Sequence, residues 1–162
     1  MEYKDRILNS RFSFSEFIES QTADDNHIIN TPTANALLNI GILVNEVLDP
    51  IRLNFGPVKI ISGYRCRELN TLVGGSKTSA HMKGEAADIK VPGTKLITVI
   101  NWINQNLNFR EMIAEYLPNG WIHISYRFGS NIKIIKIKDQ NHNYDVVTIE
   151  YLNNLYGENL EY

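Results

Sequence analysis

The stretch EMIAEYLPNGWIHISY, residues 111–126, holds two apolar runs joined by Pro-Asn-Gly, the pattern of a β-hairpin. Alternation in the second run places Ile122, Ile124 and Tyr126 on one face and Trp121, His123 and Ser125 on the other. The first set is a core face, so His123 looks away from the core, between an aromatic ring and a hydroxyl. A loop of residues 118–120 would pair Leu117 with Trp121, Tyr116 with Ile122 and Glu115 with His123. Directly opposed residues share a face of a sheet, and this register sets Glu115 beside His123. A loop shorter or longer by one residue would turn Glu115 to the other face.

Upstream, SAHMKGEAADI (residues 79–89) places His81 and Asp88 around a Gly/Ala turn. Asp88 lies between Ala87 and Ile89, where a lone carboxylate is costly without a partner. Together with His123, these residues make two neutral imidazoles and one carboxylate. That is a ligand set for one zinc ion, with a tetrahedral position left open for water. Bound water would have its pKa lowered to about 7, and a carboxylate beside it, here Glu115, is a natural general base. The plain alternative is that each residue is an ordinary hydrogen-bonded side chain, and composition and spacing leave both readings open. Glu85, inside the His81–Asp88 turn, is the competing carboxylate and is expected to be exposed. His27 and His142 lie in polar loops and read as solvated.

Working outward, Ser13 and Glu16 have capping-box spacing before Phe17 and Ile18, which predicts a short helix. A longer helix is expected from Thr31 as N-cap and Pro32 in the first turn. Leu37, Leu38, Ile42, Val44, Val47 and Leu48 form its stripe, Pro50 kinks or interrupts it near Asp49, and Gly56-Pro57 ends it. VKIIS and EAADIKV read as strands, RCRELNTLVGG as a short helix closed by glycines, and KLITVINWINQNL as an amphipathic helix. IKIIKIK and YDVVTIEY add two strand candidates to the hairpin, and LNNLYGENLEY is a last helical turn or a frayed tail. Helices first and antiparallel strands last predict an α+β class: one domain over residues 1–162, its N-terminal helices packed on a mainly antiparallel sheet. The site region spans about 59–126, and a C-terminal strand extension about 131–151.

Bulk properties narrow the partners. The chain is 43% hydrophobic and 21% charged with a formal net charge of −2, which gives no general reason to bind nucleic acid or an anionic membrane. No window is long enough to span a bilayer. The single cysteine, Cys66, cannot form an intrachain disulfide and reads as a small buried or half-buried residue. MEYKDRILNSRF lacks the apolar stretch of a secretory signal, so cytoplasmic synthesis without a signal peptide is expected. Gly74-Gly75 has no phosphate-loop spacing and reads as a helix end.

SGYR, then LNTLVGGSKTSAHMKGEAADI, then WIHIS closely resemble the zinc D-Ala-D-Ala carboxypeptidase and endopeptidase family, which has the Hedgehog/DD-peptidase fold. The resemblance runs from Lys59 to Tyr126, and the lead-in from Phe12 is similar to compact single-domain members. It implies that His81, Asp88 and His123 bind one Zn²⁺ and that Arg65 reaches into the site, to hold a substrate carboxylate or steady a carbonyl oxygen gaining charge. Ser79 would offer its hydroxyl to the peptide or to the groups that support the metal ligands, while Arg67 has no match and reads as a surface residue. Trp121 lines the substrate groove or shields the metal. One departure concerns the base: several members carry an acidic residue three positions before the last histidine ligand, where this chain has Gly120. The hairpin nominates Glu115 instead.

The implied activity is hydrolysis of peptidoglycan stem peptides, as a D,D-carboxypeptidase or an L-alanyl-D-glutamate-type endopeptidase. The expected place of action is the bacterial cell wall, and a phage endolysin or virion-associated lysin fits. A monomer, or a component of a virion, is expected. The alternative is a non-catalytic zinc-containing structural or cell-wall-binding module of a phage particle.

Overall fold

Thr33, rather than Thr31, starts the long N-terminal helical stretch. In the computed structural model, which describes Ile7 and residues 10–157, its hydroxyl accepts from Ala36 N at 3.2 Å, and Pro32 lies outside the helix. Two short helices precede it, α1 (Ser15–Ile18) and α2 (Gln21–Asp25). Glu16 accepts from the Ser13 N–H at 2.9 Å, as its capping-box spacing predicts. From α3 (Ala34–Leu43) the chain passes through a π-helical turn (Val44–Leu48) into α4 (Asp49–Phe55). Pro50 therefore does not interrupt the helix. Its missing N–H and bulky ring are accommodated by widening the preceding turn, where Asp49 N donates to Val44 O.

Six strands follow in one sheet: β1 (Lys59–Ser62), β2 (Ala86–Lys90), β3 (Glu111–Glu115), β4 (Trp121–Ser125), β5 (Ile134–Lys138) and β6 (Tyr144–Val146). Their order is β1-β2-β4-β3-β5-β6, and among the described residues only the β3–β5 pair is parallel. Helix α5 (Arg67–Leu72) and a 3₁₀ turn (Ala80–Lys83) lie between β1 and β2, α6 (Leu96–Asn106) between β2 and β3, and α7 (Ile149–Tyr156) ends the described chain. The fold is a single α+β domain, as expected.

One face of the sheet carries Ala87, Ile89, Met112, Ala114, Ile122, Ile124 and Ile135, all buried. They share one core with Ile40, Leu43, Val44, Val47, Leu48 and Ile51 of the long helical stretch and Val99, Ile100 and Ile103 of α6. Burying each Val, Leu, Ile or Met side chain among them contributes about 1.5–3 kcal/mol. The helices thus cover one face and leave the other for chemistry.

Two expectations change at the C-terminal end. YDVVTIEY is not one strand, because Thr148 accepts from Tyr151 N at 3.1 Å and begins α7 two residues after β6 ends. The strand extension accordingly stops at Val146. The tail is helical to Tyr156, and residues 158–162 lie outside the described residues. Among the described residues, no helix is long and apolar enough to cross a membrane.

Candidate active site

The uncovered face of β2 and β4 brings Asp88 opposite His123. His81 arrives from the 3₁₀ turn, and three donor atoms converge. His81 Nε2 is 3.1 Å from His123 Nδ1 and 3.3 Å from Asp88 Oδ1, and His123 Nδ1 is 2.8 Å from Asp88 Oδ1. All three residues are buried or at the edge of burial. Among the described residues, they form the group of His, Cys, Asp and Glu donors close enough to share a metal ion.

Glycines permit this convergence. Gly63 O accepts from His81 Nδ1 at 2.6 Å, and a carbonyl cannot donate, so the proton sits on Nδ1 and Nε2 is left with its lone pair. A Cβ at Gly63 would lie 2.5 Å from Phe17 O, so only glycine lets this carbonyl approach while Tyr64 N donates to Phe17 O. Gly84, with φ +70°, closes the 3₁₀ turn against Ala36 O, where a Cβ would come within 2.3 Å. Asn30 ties the neighbouring loop by donating to Ile18 O and Tyr64 O and accepting from Cys66 N. Its contribution is invisible in the sequence because its partners are distant along the chain.

Burial lowers the pKa of His81 and favours the neutral ring, against the pull of Asp88. For Asp88 burial acts the other way, but the two imidazoles outweigh it and hold the carboxyl well below the usual carboxylate range. The His123 Nδ1 proton is the one proton these ring nitrogens can offer if both rings are neutral, and it must serve Asp88 and the His81 lone pair together. A cation satisfies all three acceptors at once. Ligand atoms about 2.0–2.1 Å from a tetrahedral zinc ion are roughly 3.3 Å apart, close to the separations found here. The donor set therefore fits a zinc-like ion.

Glu115 is buried on the same face, yet its register differs from the expected one. It stands opposite Trp121, and Ile113 stands opposite His123. The hairpin loop is residues 116–120, not 118–120, because Tyr116 turns in the left-handed region (φ 55°) and its carbonyl accepts from Gly120 N. A slip of two residues conserves the face, which is why Glu115 still joins the His123 side. Its Oε2 is 3.0 Å from Lys138 Nζ. Gly120 cannot carry an acid, since a Cβ there would lie 1.7 Å from Glu115 O. Glu85, expected to be exposed, is buried where its N–H and carbonyl bond Ala80 and Tyr126.

A groove of about 1130 Å³ runs past this cluster, lined among others by Ser62, Gly63, Arg65, Asp88 and Trp121. Arg65 is half-buried and its backbone N–H donates to His81 O. Burial lowers its pKa, against the opposing carboxylates of Asp88 and Glu115. Arg65 Nε and Trp121 Nε1 are buried donors without a partner among the described residues. Ser79 is half-buried at the start of the 3₁₀ turn, Arg67 is exposed, and Cys66 is half-buried at the N-cap of α5. His27 and His142 are exposed, although His142 Nδ1 lies 2.7 Å from Tyr116 Oη.

No curated protein matches the chain. A family model described as Peptidase M15 matches residues 10–125, from the lead-in before α1 to the end of β4, with the His-Asp-His cluster inside it. A match over most of the chain places this protein in the peptidase M15 family, and it is a metallopeptidase.

Proposed function

We propose that the protein is a zinc-dependent hydrolase of peptide bonds in peptidoglycan stem peptides. The observation that carries this reading is the convergence of His81 Nε2, Asp88 Oδ1 and His123 Nδ1 beside a groove with unpaired donors. These three residues would hold the ion. Zinc bound there would supply a Lewis acid that eases deprotonation of water and polarises a carbonyl.

The chain's own residues do the rest. Arg65 holds a substrate carboxylate or carbonyl oxygen, and its charge favours the oxygen more as the oxygen becomes anionic. Trp121 Nε1, a buried N–H on the same groove, suits a peptide carbonyl. Glu115 takes a proton from water as the water oxygen bonds to the carbonyl carbon. It then gives that proton to the amine nitrogen as the C–N bond breaks.

Digestion of purified peptidoglycan with and without chelator tests the proposal, with fragments identified by mass. Chelator-sensitive release of D-Ala is the expected result for a carboxypeptidase, and a new N-terminal D-Glu that for an endopeptidase. Intact peptidoglycan after incubation with zinc-loaded protein would overturn the enzymatic reading in favour of a wall-binding module.

A further inference from the structure

Glu115 and Lys138 face one another across the one parallel strand pair of the sheet. Lys138 lies beyond the residues matched by the family model. We propose that Lys138 is a positioning residue for Glu115: it grips Oε2 so that Oε1 is presented to the attacking water. This inference rests on Glu115 being the general base.

A second Glu–Lys pair on the same two strands serves as an internal comparison. Glu111 and Lys136 also form an ion pair, but their side chains are 25% and 28% exposed. Those of Glu115 and Lys138 are 9% and 17% exposed. Two rings flank the ammonium of the less exposed pair. Lys138 Nζ lies 5.3 Å from the centroid of Tyr116 and 5.1 Å from that of Tyr144, at cation–π distance from both. Tyr116 is itself fixed, by an edge contact with Trp121 and by its hydroxyl on His142 Nδ1. An ammonium on a flexible stem is thereby held in one place, and it holds one carboxylate oxygen. Exposed pairs lack such restraint and carry little energy. Positioning matters here because a displacement of about 1 Å can cost a hundredfold in rate.

The test compares zinc-loaded Glu115→Gln, Lys138→Met, Lys138→Arg and Lys136→Met proteins with wild type on soluble stem peptides. Expected for Lys138→Met is a kcat lower by on the order of tenfold to a hundredfold, with KM and zinc stoichiometry unchanged. Lys138→Arg should recover most of the rate, and Lys136→Met should keep the wild-type kcat. Added to Glu115→Gln, Lys138→Met should cause no further loss, since the group it positions is already gone. Wild-type kcat in Lys138→Met, or a full additional loss in the double variant, would overturn the inference alone. Wild-type activity of Glu115→Gln would instead overturn the assignment of the base, and this inference with it. Should Lys138→Met fail to fold, Tyr144→Leu, at an exposed ring, is expected to lower kcat several-fold, and wild-type kcat there would overturn the inference.

Discussion

The uncovered face of the sheet handles charge in two ways. On the β1–β2–β4 side, Asp88 meets two imidazoles and, among the described residues, no Lys or Arg at salt-bridge distance, so three acceptors share at most one proton if both rings are neutral. On the β3–β5–β6 side, Glu111 and Glu115 each have a lysine of the same chain. A site that is to take a cation from outside must stay short of positive charge, whereas a carboxylate that is to move a proton must be held still and kept ionised. Under the proposed function, the contrast would separate the two tasks along one hairpin, with β4 serving the first and β3 the second.

Removing Asp88 should break this contrast most completely. Asp88→Ala leaves two imidazoles and takes away the carboxylate of the donor set. Zinc affinity should fall by more than the ten- to hundredfold that partners outside the ligand set typically contribute. Competition with a chromophoric chelator measures it, and hydrolysis should disappear in parallel. Unchanged affinity would mean that the cluster is not the metal site.

Next come the glycines that let the two sides meet. Gly120→Ala would drive a methyl group to 1.7 Å from Glu115 O, and Gly63→Ala to 2.5 Å from Phe17 O, backbone atoms in both cases. Each should cost about 3 kcal/mol or more in urea unfolding, the upper range for overpacked sites. The two should differ in a second readout. Gly63→Ala displaces the carbonyl that orients His81 and should weaken zinc binding, whereas Gly120→Ala disturbs Glu115 and should spare it.

These glycines also show what the sequence made legible. Turn residues and period-two alternation are local signals, and they were enough to assign the α+β class and the faces of β4, whereas the grouping of His81, Asp88 and His123 as one ligand set rested on the resemblance of their motifs to a known family. The register of the hairpin was not local in this sense. It depends on Tyr116 entering the left-handed region, a conformation that Leu-Pro-Asn-Gly does not announce. Glu115 stayed on the right face because the slip was two residues, not one. Thr148 failed as a strand residue because its hydroxyl prefers a helix N-terminus, a choice alternation cannot reveal. Lys138 and Asn30 were illegible because strand pairing and loop contacts place them. Asn30→Ala should cost about 2 kcal/mol, from three lost hydrogen bonds that leave part-buried backbone groups unpaired.

The smallest expected effect is the most discriminating for the β3–β5 side. Lys136→Met removes an ammonium from Glu111 but leaves that carboxylate about a quarter exposed, where water can solvate it. Coulomb attraction between exposed groups is offset by the entropy of ordering two long side chains, so the stability change should stay below about 1 kcal/mol. Salt near 1 M should weaken it further, because the screening length then falls to about 3 Å, comparable to the pair's own separation, whereas a more buried pair is screened less. Denaturation of wild type and Lys136→Met in low and high salt, alongside Lys138→Met, therefore reads burial directly. If both lysines behave alike and both respond to salt, the rings of Tyr116 and Tyr144 do not shield Glu115, and the two pairs are one surface ladder.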